Sequence, residues 1–195
     1  QHPAVTRINL VDLEEAPVEW EKIDDGIFGE PARKAKKNPR HHQKVAIERT
    51  IDYFAGGSER GKLIMACGTG KTFTSLRIAE EQAGDNGVVL FLVPSIALLG
   101  QTLREWTADT RFNINPIAIC SDSEITREKK KNEDAETFSV VDLAIPASTD
   151  VKKILDQFEL FERTNKQGMT VVFSTYQSID VISKTQQELA RKNSK

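Results

Sequence analysis

The sequence predicts an α/β fold in which a mainly parallel sheet carries helices on both of its faces. Short apolar runs, such as residues 88–93 (V-V-L-F-L-V) and 170–173 (T-V-V-F), have the length of buried strands. They alternate along the chain with segments whose apolar residues recur at helical spacing, which is typical of α/β layer structures. In such folds ligands bind at the carboxyl ends of the strands, so we expect the functional residues there.

Composition indicates a soluble globular domain. The chain has 195 residues, 38% of them apolar, with 27 Lys and Arg against 29 Asp and Glu, a formal net charge of −2. This is enough apolar material for one sizeable core, and no apolar run is long enough to cross a membrane. Because the net charge is near zero, a nucleic-acid partner would have to meet a local basic patch. Cys67 and Cys120 cannot form a disulfide framework, which favours a reducing compartment, the cytoplasm.

Charge divides the chain into segments. Residues 1–30 carry eight acidic residues against two basic ones and are interpreted as an acidic lead-in or interdomain segment. Residues 31–44 carry six Lys or Arg and no acid, and predict a basic linker that is either a solvated connector or a phosphate contact. Residues 45–195 hold the α/β pattern, interrupted at 121–137 by a mixed-charge stretch that we predict to be a surface insertion. The chain starts without Met or an apolar signal region, so we expect it to come from a longer polypeptide.

The first half of the α/β pattern contains three helices and two strands. The first helix follows Lys44 and ends at the glycines 56–57, and residues 62–65 (K-L-I-M) predict a short buried strand. The next helix stops near residues 84–87, and the strand 88–93 and a third helix follow. The apolar residues that mark the three helices are Val45, Ile47, Ile51 and Phe54; Phe73, Leu76, Ile78 and Ala79; and Leu99, Leu103 and Trp106.

The second half contains weaker strand signals and two further helices. Residues 116–120 and 140–145 are candidate strands, and residues 170–173 are a stronger one. Thr149 and Asp150 are candidate N-caps for a helix that follows them. The apolar residues that mark the two helices are Val151, Ile154, Leu155, Phe158 and Phe161, and then Ile179, Ile182 and Leu189.

Residues 65–72 (M-A-C-G-T-G-K-T) stand between the predicted strand 62–65 and a helix, and they predict a phosphate-binding loop. Gly68 and Gly70 permit a tight turn and close approach of backbone N–H groups to a phosphate chain. The helix that starts near Lys71 adds its positive N-terminal end. Lys71 can reach the β- and γ-phosphates of ATP, and the Thr72 hydroxyl can ligate the bridging Mg²⁺.

The loop departs from the strict pattern G-x-x-x-x-G-K-S/T in one position, where Met65 replaces the first glycine. A glycine-rich turn that ends in Lys-Thr by chance is therefore the alternative. Cys67 and Thr69 complete the loop as candidate nucleotide-binding residues. A nucleophilic role for Cys67 is the less favoured interpretation, because no His lies near it in the sequence.

Four motifs resemble those of the superfamily 2 helicases and translocases, in that family's order. Residues 65–72 resemble motif I, in which the first glycine is commonly absent. Residues 40–43 (R-H-H-Q) resemble the upstream R-x-x-Q element that recognises adenine. Residues 93–101 (V-P-S-I-A-L-L-G-Q) resemble motif Ia, and residues 173–177 (F-S-T-Y-Q) resemble motif Ib. In that family, motifs Ia and Ib contact the backbone of the nucleic-acid strand.

The resemblance implies a role for each matching residue. Lys71 would be catalytic, Thr72 would bind the metal, and Arg40 with Gln43 would bind adenine. Pro94, Ser95, Gln101, Thr175 and Tyr176 would contact the DNA backbone. Simpler interpretations remain open: Gln43 caps or precedes its helix, Ser95 is an N-cap, and Thr175 and Tyr176 only close a strand.

The narrower resemblance is to the motor region of single-polypeptide type I (type ISP) restriction-modification enzymes and related restriction helicases. Residues 61–79, 93–107 and 169–180 carry it, with 142–150 between them, and it covers residues 38–195. It implies a RecA-like P-loop NTPase lobe that uses ATP and Mg²⁺. The implied partners are double-stranded DNA and the other parts of a longer chain: a second motor lobe, a nuclease (an endonuclease), an adenine methyltransferase and a target-recognition domain.

One departure from this family concerns hydrolysis. The family hydrolyses ATP with a D-E-x-H box, and no such box occurs in the sequence. We therefore expect a lobe that is incomplete at its C-terminal end and does not hydrolyse ATP by itself. Two other functions remain open: a stand-alone nucleotide-binding regulatory module without turnover, and an unrelated P-loop enzyme such as a kinase.

Overall fold

The structure is a computed structural model that describes residues 10–14, 16–29, 32–120, 145–164 and 167–193. The predicted insertion at 121–137 lies outside the described residues, as does the candidate strand at 140–145 except for its last residue. The described elements in chain order are α1 (Leu10–Glu14), α2 (Trp20–Asp24), α3 (His41–Ala55), α4 (Lys71–Ala83), β1 (Val88–Val93), α5 (Ile96–Asp109), β2 (Ile114–Ile119), α6 (Val151–Arg163), β3 (Met169–Thr175), a 3₁₀ turn (Tyr176–Ser178) and α7 (Ile179–Asn193).

Helices α3 to α7 confirm the five helices that apolar periodicity predicts. Helix α3 ends directly before Gly56, and α4 ends before Gly84, which has a positive φ of 67°. Asp150 caps α6, because its carboxylate accepts a hydrogen bond from the backbone N–H of Lys152 at 2.9 Å. The helix ends thus follow local sequence signals.

The three strands form one parallel sheet in the order β1-β3-β2. In its register Val88 is opposite Thr170, Val93 is opposite Thr175, and Ile114 is opposite Met169. The central position belongs to β3, whose residues are almost all buried. The carboxyl ends of β1 and β3 therefore lie side by side at one edge of the sheet.

Both faces of the sheet are covered by helices, which confirms the predicted α/β class. Alternate side chains of β3 point to opposite faces. On one face they pack against α4 and α5 around Leu76 and Trp106, and on the other against α6 and α7 around Ile154 and Ile182. The strand residues of the first face are Val93, Ala118, Met169, Val171 and Phe173, and those of the second are Ile117, Ile119 and Val172.

The prediction of a buried strand at residues 62–65 is wrong. These residues have no regular secondary structure, and the side chains of Leu63 and Ile64 are 46% and 84% exposed. An extended segment becomes a strand when a neighbouring strand takes up its N–H and C=O groups. Within the described residues, β1, β2 and β3 form the sheet without this segment. Apolar composition predicted burial here, but the described strands supply no partner.

The basic linker is docked on the protein rather than fully solvated. Residues 34–40 have no regular secondary structure, yet Lys37 forms hydrogen bonds with Asp109 of α5. At the junction with the acidic segment, Val18 and Arg33 form an antiparallel bridge. The contacts of Lys37 hold the linker close to the start of α3.

Candidate nucleotide-binding site

The predicted phosphate loop forms a tight turn at the N-terminus of α4. Gly68 and Gly70 have φ values of 74° and 79°, in the left-handed region that favours glycine. Gly70 is the N-cap of α4, which begins at Lys71. The N–H groups of the first turn of a helix lack intrahelical acceptors, so α4 presents its positive end to the loop.

Two side chains of the loop donate hydrogen bonds to the same carbonyl. The Lys71 ammonium donates to the Ala66 oxygen at 3.1 Å, and the Thr69 hydroxyl donates to it at 2.7 Å. The exposed Lys71 side chain therefore folds back across the loop instead of extending away from it. Cys67 is also exposed on this loop.

Gln43 connects the R-x-x-Q element to the phosphate loop. Its side-chain Oε1 accepts a hydrogen bond from the backbone N–H of Arg40 at 2.8 Å, which confirms that Gln43 helps to cap α3. Its Nε2 donates to the carbonyl oxygen of Thr69 at 3.0 Å. His42 Nε2 lies 3.2 Å from that oxygen. The buried Gln43 side chain thus joins two motifs that are more than twenty residues apart.

Gly70 fits against Gln43 so closely that no side chain can be added there without a shift. A Cβ at position 70 would lie 2.4 Å from Gln43 Nε2. At Gly68, by contrast, a Cβ would meet nothing within 4 Å, so open space lies beside this part of the loop. The loop is therefore closed on the Gln43 side and open at Gly68.

The residues that resemble motifs Ia and Ib follow neighbouring strands. Because Val93 is opposite Thr175, the loops after β1 and β3 start next to each other. Pro94 and Tyr176 are both exposed there. Ser95 is the N-cap of α5, since its hydroxyl accepts a hydrogen bond from the backbone N–H of Leu98 at 3.3 Å.

The comparisons with known proteins identify the family. The sequence pattern described as "Type III restriction enzyme, res subunit" matches residues 36–195. The chain belongs to this family.

Solved structures and one curated relative agree with this assignment. The chain is 39% identical to the ATP-dependent Type ISP restriction-modification enzyme LlaBIII bound to DNA, with a TM-score of 0.75 over 93% of this chain and 11% of that one. It is 45% identical to a nuclease-deletion mutant of the Type ISP enzyme LlaGI in complex with a DNA substrate mimic, with a TM-score of 0.64 over 78% of this chain and 14% of that one.

The curated relative is the Type I restriction enzyme EcoAI endonuclease subunit of Escherichia coli. The two are 38% identical over 68 residues, 34% of this chain and 8% of that subunit. The chain thus spans 8 to 14% of the length of these relatives. It is homologous to the helicase-like region of restriction enzymes, which confirms the resemblance and the RecA-like fold.

The structure places two of the sequence-predicted DNA contacts in different surroundings. The Thr175 side chain is buried, and its hydroxyl lies 3.4 Å from the Ser178 hydroxyl. Gln101 is exposed on α5 and donates to Glu105 at 2.8 Å. Thr175 thus ends β3 with a buried side chain, while the neighbouring Tyr176 side chain is 55% exposed.

Two contacts of the restriction-enzyme lobe were not predicted from the sequence. Trp106 has the helical spacing of a core residue, and it is buried, but its indole N–H also donates to the Thr72 carbonyl at 3.0 Å. The second contact is the bond from Gln43 to Thr69. Neither leaves a local signal, because both join segments that are distant in sequence.

Neither a cluster of metal-binding side chains nor a membrane-spanning helix occurs in the part of the chain that the structure describes. Within residues 10–14, 16–29, 32–120, 145–164 and 167–193, no three His, Cys, Asp or Glu side chains gather as a metal site. In the same part of the chain, no helix is both long and apolar enough to cross a membrane. Thr72, half-buried at the start of α4, remains the candidate Mg²⁺ ligand.

Proposed function

We propose that this chain is the nucleotide-binding part of an ATP-dependent DNA helicase or translocase within a restriction-modification enzyme. The observation that carries the proposal is a direct hydrogen bond between two motifs. Gln43 of the R-x-x-Q element donates to the Thr69 carbonyl of the phosphate loop. A site for ATP needs a base-binding and a phosphate-binding element at a fixed distance, and this bond holds the two together. Family membership of residues 36–195 supports the same function.

The loop has the features that bind Mg²⁺ and the phosphates of ATP. Its open side at Gly68 leaves room for a phosphate chain beside the backbone. The N-terminus of α4 and the Lys71 ammonium supply positive charge, and Cys67, Gly68, Thr69 and Gly70 supply backbone N–H groups. When bound, Mg²⁺-ATP supplies the phosphoryl group whose hydrolysis drives movement. Lys71 would hold the β- and γ-phosphates, and the Thr72 hydroxyl would hold the metal.

The base of ATP would be recognised at the start of α3. Arg40 is exposed there, and the Gln43 amide can form two hydrogen bonds to an adenine edge. Gln43 uses one lone pair of Oε1 and one hydrogen of Nε2 for protein contacts, so further capacity remains on both atoms. Loss of these bonds would reduce discrimination between ATP and other nucleotides.

The DNA backbone would bind at the carboxyl ends of β1 and β3. Pro94 and Tyr176 are exposed in neighbouring loops, and Ser95 stands at the N-terminus of α5, where a phosphate is favoured. Gln101 lies further along α5. The related structures of LlaBIII and LlaGI contain DNA and a DNA substrate mimic, which supports DNA as the partner. We propose that this DNA is double-stranded.

The rest of the enzyme would supply what this lobe lacks. The proposal requires an acidic D-E-x-H box, a second motor lobe, a nuclease and a methyltransferase on the same polypeptide. The relatives are many times longer than this chain, which supports that organisation. We also propose a cytoplasmic location, where the free thiols of Cys67 and Cys120 would stay reduced.

The decisive experiment replaces Lys71 in the full-length protein. Lys71→Ala is expected to abolish ATP hydrolysis and DNA cleavage while adenine methylation continues, because methyl transfer does not use the phosphate loop. Lys62→Ala is the matched control, since Lys62 is an exposed lysine just before the loop. Undiminished ATP turnover by Lys71→Ala would refute the proposed role of the loop.

A second measurement separates the motor from a stand-alone regulatory module. Residues 1–195 alone are expected to bind Mg²⁺-nucleotide weakly and to show no hydrolysis, because the sequence contains no D-E-x-H box. Robust ATP turnover by this fragment would contradict that expectation. DNA-stimulated ATP hydrolysis by the full-length protein would exclude both a passive module and an unrelated kinase.

A further inference from the structure

A network of buried charges lies between α4, the C-terminal end of α5 and the basic linker. Its centre is formed by Arg77 and Glu80 of α4 and by Asp109 of α5, whose exposed fractions are 4%, 2% and 5%. Buried charges are costly unless each finds a partner, so the contacts of these groups constrain the segments that carry them. The linker enters the network through Lys37.

Both main-chain polar groups of Lys37, its N–H and its carbonyl, form hydrogen bonds with the network. Its backbone N–H donates to Asp109 Oδ1 at 3.1 Å, and its carbonyl oxygen accepts from Arg77 Nη2 at 3.1 Å. Its ammonium also pairs with Asp109 Oδ2 at 2.9 Å, although the Lys37 side chain is 68% exposed. The two main-chain bonds fix the path of the linker, and the ammonium adds an ion pair between an exposed cation and a buried carboxylate.

Arg77 and Asp109 are themselves fixed from several directions. Arg77 donates to Glu80 Oε2 at 2.7 Å and to the Asp109 carbonyl at 3.0 Å, and its guanidinium lies 4.6 Å from the centre of the Phe73 ring. Glu80 in turn accepts bonds from the backbone N–H and the Nε of Arg111, at 2.6 and 2.9 Å. A network with this many partners has little freedom to adopt another arrangement.

The anchored residue is close in sequence to the adenine-binding element. Only Asn38 and Pro39 separate Lys37 from Arg40, and Pro39 restricts the backbone of both itself and Asn38. Arg40 is the N-cap of α3, and its backbone N–H donates to Gln43 Oε1. The position of Lys37 therefore limits where Arg40 and Gln43 can lie.

The same network is attached to the helix that carries the phosphate loop. Arg77 follows Lys71 by six residues on α4, less than two helical turns. The linker is thus anchored directly to the helix that starts at the loop. The R-x-x-Q element is also bonded to the loop itself, because Gln43 donates to the Thr69 carbonyl.

We infer that Asp109 and Arg77 are positioning residues for adenine recognition, acting through the main chain of Lys37. This inference rests on the proposed function, since it requires that Arg40 and Gln43 bind the adenine of ATP. Neither residue needs to contact the nucleotide. Their effect is to hold the base-binding element at a fixed place relative to the phosphate loop.

The test compares kcat/KM for ATP and for GTP in the full-length protein. Asp109→Ala is expected to raise KM for ATP and to lower the ATP-to-GTP ratio of kcat/KM by roughly tenfold, with kcat for ATP changed little, because displaced groups lose hydrogen bonds to the base. If a smaller fraction of the enzyme is folded, kcat/KM falls by the same factor for ATP and for GTP, so the ratio of the two does not change. If ATP and GTP fall by the same factor, Asp109 has only a structural role and the inference is refuted.

Lys37→Met is the matched control. It removes the ammonium but leaves both main-chain bonds, so the ATP-to-GTP ratio is expected to stay within about twofold of the wild type. If Lys37→Met lowers the ATP-to-GTP ratio as much as Asp109→Ala does, the Lys37 ammonium and not its main chain is responsible, and the inference is refuted. If Asp109→Ala does not fold, Asp109→Asn replaces it in the same comparison of ATP and GTP. It keeps one acceptor oxygen for the Lys37 N–H, and we expect an intermediate loss of discrimination.

Gln43→Ala separates this inference from the proposed function. If Gln43→Ala loses discrimination and Asp109→Ala does not, only the inference fails. If Gln43→Ala keeps full discrimination, adenine recognition by Gln43 fails and the inference fails with it. In the double variant, Asp109→Ala is expected to lower the ratio no further, because both residues act on the same contact.

Discussion

At the scale of single residues, the phosphate loop depends on two glycines for different reasons. Both have positive φ values, which an L side chain adopts at a cost. Only Gly70 is also pressed against another side chain, since a Cβ at this position would lie 2.4 Å from Gln43 Nε2. Gln43 cannot move away cheaply, because it is buried and both ends of its amide are bonded.

This difference predicts unequal effects of the same substitution. Gly68→Ala is expected to lower the free energy of unfolding by about 1–2 kcal/mol, the cost of a left-handed alanine. Gly70→Ala should lower it further, by roughly 1–3 kcal/mol, because the Gln43 amide would also lose its bonds while buried. Urea denaturation without nucleotide measures both. Equal losses would show that Gln43 moves aside freely.

At the scale of elements, α5 supports the helix that carries the phosphate loop. The Trp106 indole N–H bonds to the Thr72 carbonyl in the first turn of α4. Its ring also packs edge-on against Phe91 and Phe173, with centroids 4.8 and 5.7 Å apart. One side chain therefore ties the loop helix to the two strands that end at the proposed DNA site.

Trp106→Phe is expected to lower the free energy of unfolding by about 1–3 kcal/mol, from the lost hydrogen bond and the smaller ring. Trp20→Phe is the control, since Trp20 also donates a hydrogen bond to a main-chain oxygen, that of Leu13, but is exposed. It should change the free energy of unfolding by no more than about 0.5 kcal/mol. Denaturation curves that shift equally for both variants would contradict a special role for Trp106.

Helices α6 and α7 are joined by an exposed ion pair between Glu159 and Lys192. The hydrogen bond from Lys192 lowers the pKa of Glu159, and the same bond raises the pKa of Lys192. The pair therefore contributes stability above the ordinary pKa of glutamate, and the contribution is lost as the pH falls through the lowered pKa of Glu159. It is also lost as the pH rises through the raised pKa of Lys192.

Lys192→Met is therefore expected to lower the unfolding midpoint slightly at pH 7 and to have no effect once Glu159 is protonated. Thermal unfolding of variant and wild type from pH 7 down to pH 3 measures this difference. Lys184→Met is the control, because Lys184 is an exposed lysine of the same helix that forms no ion pair among the described residues. That control should not reproduce the pH dependence of Lys192→Met, and a difference that persists in acid would contradict the assignment.

At the scale of the whole molecule, β1 is an edge strand of the sheet that the described residues form. In β1, Val88 and Leu90 are exposed, although the strand is strongly apolar. Nearby in sequence, the extended segment that contains Ile64 is exposed as well. An uncovered apolar edge strand is a pairing site for a further strand, and our proposed motor requires such a strand before its acidic box.

Hydrogen exchange in the full-length protein tests this requirement. In a parallel sheet, alternate amides of β1 point away from β3, and they exchange quickly unless another strand accepts them. We expect slow exchange for all amides of Val88–Val93, which would indicate a further strand on this edge. Fast exchange of alternate amides would contradict it. The central strand β3 provides the slow reference in the same experiment.

The elements of this fold could be predicted from the sequence because their signals are local. Apolar periodicity located helices α3 to α7, and glycines or Asp150 marked several of their ends. The failure at residues 62–65 has a physical reason. A run of apolar residues is equally compatible with a buried strand and with an exposed extended segment, and the choice depends on whether a partner strand is present.

The sequence predicted the individual residues of the candidate site, but it did not predict the contacts between them. The pattern at 65–72 predicted the loop, and the R-x-x-Q element predicted a site near Gln43. The bond between Gln43 and Thr69 and the burial of Thr175 depend on contacts between distant segments. No local pattern encodes such contacts.

The sequence by itself therefore determined the family, the α/β class and the position of the loop, since residue type and spacing are sufficient for each. Only the tertiary structure decided how the loop, the R-x-x-Q element and the linker are held together. The linker shows the difference most clearly. Its charges alone indicated either a solvated connector or a phosphate contact, but Asp109 and Arg77, far away in the sequence, hold the main chain of Lys37. Burial gives those two charges a fixed geometry, and burial exists only once the chain has folded.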